Sequence, residues 1–258
     1  MTKLYLVSAG PGAQSLVSPK SIAAIKASSD LVAYGLYLEL LGQVCDNKVH
    51  HDLPLGKEID RARLALNLAA SGKTTSLVSS GDIGIYAMAT LVFELLDKQL
   101  KNKENHPEWL DVDIEVIPGI SAMQAASSRA GAMLGHDFCT ISLSDLLTPW
   151  QTIEKRLHAC GEGDFVVSFY NPRSVKRDWQ INTARDILLK YRPANTPVIL
   201  GKHLTREEES VTITTLDKLH SDDVDMFTLV SVGNIESKHI INGAQEWVYT
   251  PRGYSKKL

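Results

Sequence analysis

Apolar residues recur along this chain in two rhythms, every second position and every third or fourth, and the switching between them predicts its elements. Lys3 to Ser8 reads as a strand running into Ala9-Gly10-Pro11-Gly12, a sharp turn in which proline fixes one dihedral and the glycines free the others. Ser18 and Pro19 suit the cap and first turn of a helix that Ile22 and Ile25 carry to Ser29. Asp30 to Tyr34 is a second short strand, and Leu36 to Leu41 is helical. Ile59, Ala62, Leu66 and Ala69 mark an amphipathic helix ending at Gly72, a C-cap. Thr75 to Val78 is a buried strand, and Met88, Leu91, Val92, Leu95 and Leu96 recur at helical spacing within Ala87 to Leu100. Lys101 to Asp111, polar and with Pro107 inside, reads as a surface loop. Val112 to Ile117 is a strand stopping at Pro118-Gly119, and Ser121 caps a helix of small residues to Ala130.

Strands and helices alternating this way imply a mostly parallel sheet. After Gly131 the texture changes. Phe138 to Leu143 and Asp164 to Tyr170 are strands separated by a helix from Pro149 to Ala159, and Arg177 to Tyr191 is a further helix. Pro197 to His203, Ser210 to Thr215 and Met226 to Val232 follow as strands with short polar links, which favours a mixed or antiparallel sheet. The expected fold class is therefore α/β, with two α/β domains: residues 1–118 around a mostly parallel sheet and 119–258 around a mixed one. The first turns should then face the second domain across a cleft, the usual home of a ligand.

Composition changes this picture little. The 258 residues are 44% hydrophobic and 22% charged, ordinary for a soluble globular chain of this size. A net charge of −3 gives no global electrostatic case for nucleic acid. Cys45, Cys139 and Cys160 are scattered, odd in number and without CxxC spacing, which argues against a disulfide framework or a metal site and fits a reducing cytoplasm. Met1 to Gly10 lacks the long apolar region of a signal peptide, and no apolar stretch approaches membrane-spanning length.

The candidate chemistry gathers at turns that follow strands. In Ser79-Ser80-Gly81-Asp82-Ile83-Gly84-Ile85-Tyr86 the glycines let a ligand approach the backbone, and Asp82 can accept from a diol or pair with a cation; a plain capped helix start is the equal alternative. Gly10-Pro11-Gly12 is not GxGxxG, since Ser15 stands where the third glycine would fall. Ser71-Gly72-Lys73-Thr74 resembles the end of a nucleotide phosphate loop, but Asn67 occupies the leading glycine position and a strand follows, which excludes that reading. Tyr170-Asn171-Pro172-Arg173-Ser174 ends a strand with an aromatic face, an amide and a guanidinium; with Lys176, Arg177, Arg206 and Arg252 it suits an anion-binding rim, against the plainer reading of a solvated turn. Adjacent His50 and His51 make a poor chelate, because neighbours in a strand point opposite ways. His136-Asp137 orders a loop or, for His136, acts in catalysis. Glu207 to Glu209 read as a solvated hairpin tip.

Taken in order, these segments resemble one family. Ala9-Gly10-Pro11-Gly12, Ser80-Gly81-Asp82 with Gly84-Ile85-Tyr86, and Pro118-Gly119-Ile120-Ser121-Ala122 are similar to the turns of the tetrapyrrole (corrin and porphyrin) methylases, enzymes of two α/β domains in the class III arrangement. His136-Asp137-Phe138, Ile141 to Trp150, Tyr170 to Ser174 and Thr250 to Tyr254 narrow the resemblance to the branch that methylates C17 of the corrin precursor. Ala13 and Ala87 depart from that pattern, standing where an acid and a glycine are common.

The resemblance implies S-adenosylmethionine as cofactor, touched by Pro11, Gly81, Asp82, Ile85, Ser121, Ala122 and Tyr170, with residues 201–204 closing the adenine side. It implies a polycarboxylate tetrapyrrole substrate whose acidic arms meet Arg173, Lys176, Arg177 and Arg252, and no metal. The implied reaction is methyl transfer to C17 of precorrin-3B, or of its cobalt-containing counterpart, with ring contraction to precorrin-4. Ser144, Asp145 and His136 are the candidate acids or bases for the contraction. A cytoplasmic homodimer is implied as well. The alternatives are action on another corrin position, a nicotinamide-dependent oxidoreductase, which the missing GxGxxG speaks against, and a carrier that binds tetrapyrroles without turnover.

Overall fold

In a computed structural model describing residues 3–101, 105–175, 177–254 and 257, the alternation inside the first strand separates two cores. The chain divides into two compact units, Met1–Ser121 and Ala122–Leu258. The first comprises β1 (Lys3–Ser8), α1 (Pro19–Ala27), β2 (Asp30–Ala33), α2 (Gly35–Leu41), β3 (Val49–Asp52), α3 (Glu58–Ala70), β4 (Thr75–Ser79), α4 (Met88–Leu100) and β5 (Asp113–Ile117). Its strands form one sheet in the order β3-β2-β4-β1-β5, and every pairing is parallel. On one face Leu4, Leu6, Val32 and Leu77 pack with Ala62, Leu66, Val92 and Leu95 of α3 and α4. On the other, Val7, Leu31, Val78 and Ile117 pack with Ile25 of α1 and with Leu38 and Leu41 of α2. A parallel strand needs both faces covered, and the period of two in β1 supplies each face with its own set.

The second unit comprises α5 (Ala122–Ala130), β6 (Gly131–Ala132), β7 (Phe138–Ser142), α6 (Trp150–Glu162), β8 (Val166–Tyr170), α7 (Gln180–Leu188), β9 (Pro197–Lys202), β10 (Ser210–Thr215), β11 (Thr228–Val232), β12 (Lys238–Asn242) and β13 (Gln245–Tyr249). Its main sheet has the order β10-β9-β11-β8-β7. Only β7 and β8 run parallel in it; the other three pairings are antiparallel. Ile153, Leu157, Phe169, Ile181, Leu188 and Val230 build its core with α6 and α7. A smaller sheet, β12-β13-β6, completes the unit.

Several expectations are corrected here. Residues 101–111 are not simply a surface loop: Pro107–Asp111 is a 3-10 turn in which Trp109 is fully buried and donates from Nε1 to Asn67 Oδ1 at 2.7 Å. One apolar side chain with a partner for its single polar atom anchors an otherwise polar stretch. The β12–β13 hairpin escapes the apolar pattern because all of β12 is exposed, although Asn242-Gly243, with Gly243 at φ 63°, is a hairpin turn signal. Strand β3 was hidden in the same way; its His50 Nε2 lies 2.9 Å from Cys45 O and His51 Nε2 lies 2.8 Å from Asp30 Oδ1. Helix α7 starts at Gln180, not Arg177, because Arg177 is held in a two-residue bridge with Ser174. Cys139 of β7 and Cys160 of α6, distant in sequence, meet in the same core, where Cys139 packs against the cluster that contains Cys160.

Candidate functional site

Three turns meet where β4, β1 and β5 end. Because these strands are adjacent and parallel, their carboxyl ends fall on one edge of the sheet, the edge at which open α/β sheets hold ligands. Gly10 and Gly81 exchange both backbone hydrogen bonds, Gly10 N to Gly81 O at 3.1 Å and Gly81 N to Gly10 O at 2.7 Å. Both have positive φ, 71° and 66°, which a side chain would resist. Gly119 is required for a different reason: a Cβ there would lie 2.4 Å from Ser8 Cβ and 2.8 Å from Gly81 O.

Asp82 and Ser8 tie the turns together. Asp82 Oδ1 accepts from Gly84 N at 2.7 Å and Oδ2 accepts from Gly119 N at 2.9 Å, so one carboxylate spans the second turn and the third. Each oxygen retains lone-pair capacity for a ligand. Fully buried Ser8 donates to Ile117 O at 2.6 Å and accepts from Ile83 N at 2.9 Å. Around this knot Pro11 and Ser121 are buried, Gly81, Asp82 and Ile85 are half-buried, and Gly84 and Tyr86 are exposed. Tyr86 sits at φ 51°, costly for a bulky residue and tolerated only where the surroundings determine it.

In the second unit the ends of β7 and β8 carry the other candidates. Tyr170 Oη accepts from Met123 N at 3.3 Å, which places the strand end against the first turn of α5, beside Ala122. Leu143 N donates to Tyr170 O at 2.9 Å, and Asn171 Nδ2 to Ser142 Oγ at 3.1 Å. Asp145 Oδ2 accepts from Gln180 Nε2 at 3.2 Å, with Arg177 Nε 3.9 Å from its other oxygen. Ser144 is half-buried beside it, its N–H donating to Ser142 Oγ at 3.3 Å.

The structure does not bring the three expected acids or bases together. His136 precedes β7 while Ser144 and Asp145 follow it, so the five residues of the strand, about 17 Å, separate them. His136 is exposed and its Nδ1 accepts from the N–H of Asp137 at 2.7 Å. Among the expected cations, Arg177 is only 11% exposed and donates from Nη1 to Leu143 O at 3.1 Å and to Asn171 O at 3.3 Å. Arg173 donates from Nη1 to Ser221 O at 2.6 Å and keeps 32% of its side chain in solvent. Arg252 is exposed, and Lys176 lies outside the described residues. Glu209 is no solvated tip: its Oε1 accepts from Arg129 Nε at 2.8 Å and from Thr205 N at 3.1 Å, fastening the β9–β10 link to α5. Of residues 201–204, expected beside adenine, the first two end β9 and the last two start that link.

The family model of the Tetrapyrrole (Corrin/Porphyrin) Methylases matches residues 3–220. The chain belongs to the tetrapyrrole methylases. It is 42% identical over 252 residues to a protein of Salmonella typhimurium described as a probable cobalt-factor III C(17)-methyltransferase, covering 98% of this chain and 99% of that one. It is 39% identical to the precorrin-3B C(17)-methyltransferase of Sinorhizobium sp, covering 98% and 97%. A cobalt-factor III methyltransferase of Priestia megaterium is 42% identical across 99% of this chain, which spans 46% of that protein's length. The crystal structure of the methyltransferase CobJ superposes with a TM-score of 0.88 at 37% identity, covering 97% of this chain and all of that one. A uroporphyrin-III C-methyltransferase of Thermus thermophilus complexed with S-adenosyl homocysteine shares the fold, with a TM-score of 0.65 at 19% identity over 90% of this chain.

Within this tetrapyrrole methylase, the glycines and Asp82 singled out from the sequence lie together in this junction, and Ser8, which the sequence reading did not single out, ties it. The signal was its place as the last residue of β1, directly before the first glycine turn, where a buried hydroxyl can reach both neighbouring strand ends. Among the described residues no helix is long and apolar enough to cross a membrane.

Proposed function

We propose that this tetrapyrrole methylase transfers the methyl group of S-adenosylmethionine to C17 of precorrin-3B or its cobalt-containing counterpart, with contraction of the macrocycle. The observation that carries the donor half of this reading is the junction of Gly10, Gly81, Asp82 and Gly119 at one sheet edge. The full-length likeness to two C17 methyltransferases supports the acceptor half. The residues present suit the donor. Glycine backbones allow close approach, and the spare acceptor capacity of Asp82 suits hydroxyl or ammonium donors. Pro11, Gly81, Asp82, Ile85, Ser121, Ala122 and Tyr170 are the residues we assign to holding it.

When bound, the sulfonium supplies an electrophilic methyl. The chain then has to align the accepting carbon with it and keep water out. Ring contraction requires a proton to move, and Asp145 is our choice to hold or accept it, steadied by Gln180 and Arg177, with Ser144 beside it. Arg173 and Arg252 are assigned to the acidic arms of the acceptor, and Arg177 to bracing the loop that carries Asp145. A cytoplasmic homodimer belongs to the same reading, and sedimentation at micromolar concentration tests the dimer.

The decisive experiment incubates the purified chain with S-adenosylmethionine and the trimethylated precursor. Mass spectrometry should find one added methyl group and the ring-contracted product, and no added methyl would end the proposal. Asp82→Ala should weaken binding of S-adenosylhomocysteine about tenfold or more by calorimetry, since removing the carboxylate strands the N–H groups of Gly84 and Gly119.

A further inference from the structure

The links that follow β7 and β8 hold large apolar side chains in open solvent. Leu146 is 80% exposed, Leu147 97% and Val175 100%. Such groups on a loose loop would need no explanation, but these loops are clipped together. Arg177 bonds the carbonyls of Leu143, at the start of one link, and Asn171, at the start of the other. Gln180 reaches Asp145, directly before Leu146. Trp150 and Trp179 close the far ends edge to face, with ring centroids 4.6 Å apart. Ser174 and Arg177 exchange both backbone hydrogen bonds at the turn that carries Val175. A braced pair of loops keeping apolar side chains exposed marks a contact surface.

Its neighbours indicate what it contacts. The surface stands in the links that leave the carboxyl ends of two parallel strands, with Leu146 directly after Asp145 and Val175 five residues after Tyr170. In the same link Arg173 donates from Nη1 to Ser221 O and lies 3.5 Å from Asp222 Oδ1, and its other guanidinium nitrogens keep donors for an anion. An apolar face edged by a cation complements a flat ring system that carries carboxylates.

We propose that Leu146, Leu147 and Val175 form a lip that receives one face of the tetrapyrrole acceptor, with Arg173 taking a carboxylate at its edge. This rests on the methyltransferase reading and adds the residues that set acceptor specificity. The lip acts on the acceptor alone, so its variants separate acceptor binding from donor binding.

The test titrates the full chain with uroporphyrin, an octacarboxylate porphyrin, and follows quenching of the Trp150 and Trp179 emission. The double variant Leu146→Ser/Leu147→Ser should weaken porphyrin binding tenfold or more and raise the acceptor KM with little change in kcat, a loss on the scale expected for apolar contacts to a ligand. Its affinity for S-adenosylhomocysteine should stay within twofold of the parent, as should the porphyrin affinity of Leu100→Ser, which alters a leucine 67% exposed on α4. Unchanged porphyrin binding in the double variant would overturn the lip. So would a parent chain that binds S-adenosylhomocysteine but no porphyrin, or a double variant that loses only self-association. A parent chain that binds neither compound would overturn the methyltransferase reading, and the lip with it.

Discussion

Single side chains settle both ends of the first sheet, by different means. At the carboxyl edge the constraint is space, as Gly119 shows. Its φ is not left-handed, so Gly119→Ala costs packing and not backbone conformation: the added methyl meets Ser8 Cβ and the Gly81 carbonyl. Neither can rotate away without breaking the Gly10–Gly81 pair, so Gly119→Ala should lose about 1–3 kcal/mol in urea unfolding, the range for overpacking, together with donor affinity. At the amino edge the constraint is charge. Burial opposes ionisation of Asp30, but hydrogen bonds from His51, Lys73 and Ser29 outweigh it and hold the carboxyl at about 2 against an ordinary 3.8. The unfolded chain therefore takes up this proton first as pH falls. The stability Asp30 contributes is fully present above pH 4 and is lost between about pH 4 and pH 2. Asp30→Asn should cost about 2 kcal/mol at pH 7, and the gap to the parent should close across that acid window; a gap independent of pH would sink the assignment.

At the scale of elements, the second unit depends on a brace that links α5 to the β9–β10 link. His203 at φ 46°, stacked on Phe227 at 4.7 Å, and Thr205 at φ 64° are both left-handed, and a β-branched residue pays for that conformation. Glu209 holds the link there. Burial disfavours its charge, yet Arg129 and the Thr205 N–H stabilise the carboxylate enough to lower its pKa. Glu209→Ala should cost about 1–3 kcal/mol and speed amide exchange at Thr205, while Glu209→Gln, which keeps an acceptor for that N–H, should cost less. Equal exchange in all three proteins would show that the strain is held elsewhere. This brace was invisible in the sequence, where Glu207 to Glu209 read as a charged tip, because it joins residues eighty positions apart. Elements with periodic apolar faces were legible: β1, α3, β4, α4 and β10 fall where the spacing placed them, within a residue or two. Strands β3 and β12 were not, since neither buries a continuous face and their pairing comes from partners. The candidate site divides in the same way. Its glycine turns are local signatures, whereas the Ser8 knot and the engagement of Arg177 with the Leu143 and Asn171 carbonyls depend on which strands lie side by side.

At the scale of the whole molecule, each unit has its own sheet and its own core, and the first is complete by the measure of its faces. α3 and α4 pack on one side of this sheet and α1 and α2 on the other, and both apolar clusters so formed are built entirely from residues before the division. The knot at its carboxyl edge is complete too, since Gly10, Gly81, Asp82 and Gly119 all precede the division after Ser121. Residues 1–121 expressed alone should therefore fold. The four tryptophans supply the measurement, because Trp109 is the one that lies in this segment. It is fully buried, with its indole N–H donating to Asn67 on α3, so its emission reports the packing of the 3-10 turn against that helix. The fragment should show blue-shifted emission and a single cooperative transition in urea, with stability within the ordinary range of about 5–15 kcal/mol for a domain. Trp109→Phe in the fragment should be destabilised by loss of the Asn67 hydrogen bond and of packed area. Red-shifted emission that does not respond to urea would mean that the α3 and α4 core cannot form from these residues alone, and that the second unit is required to build the first.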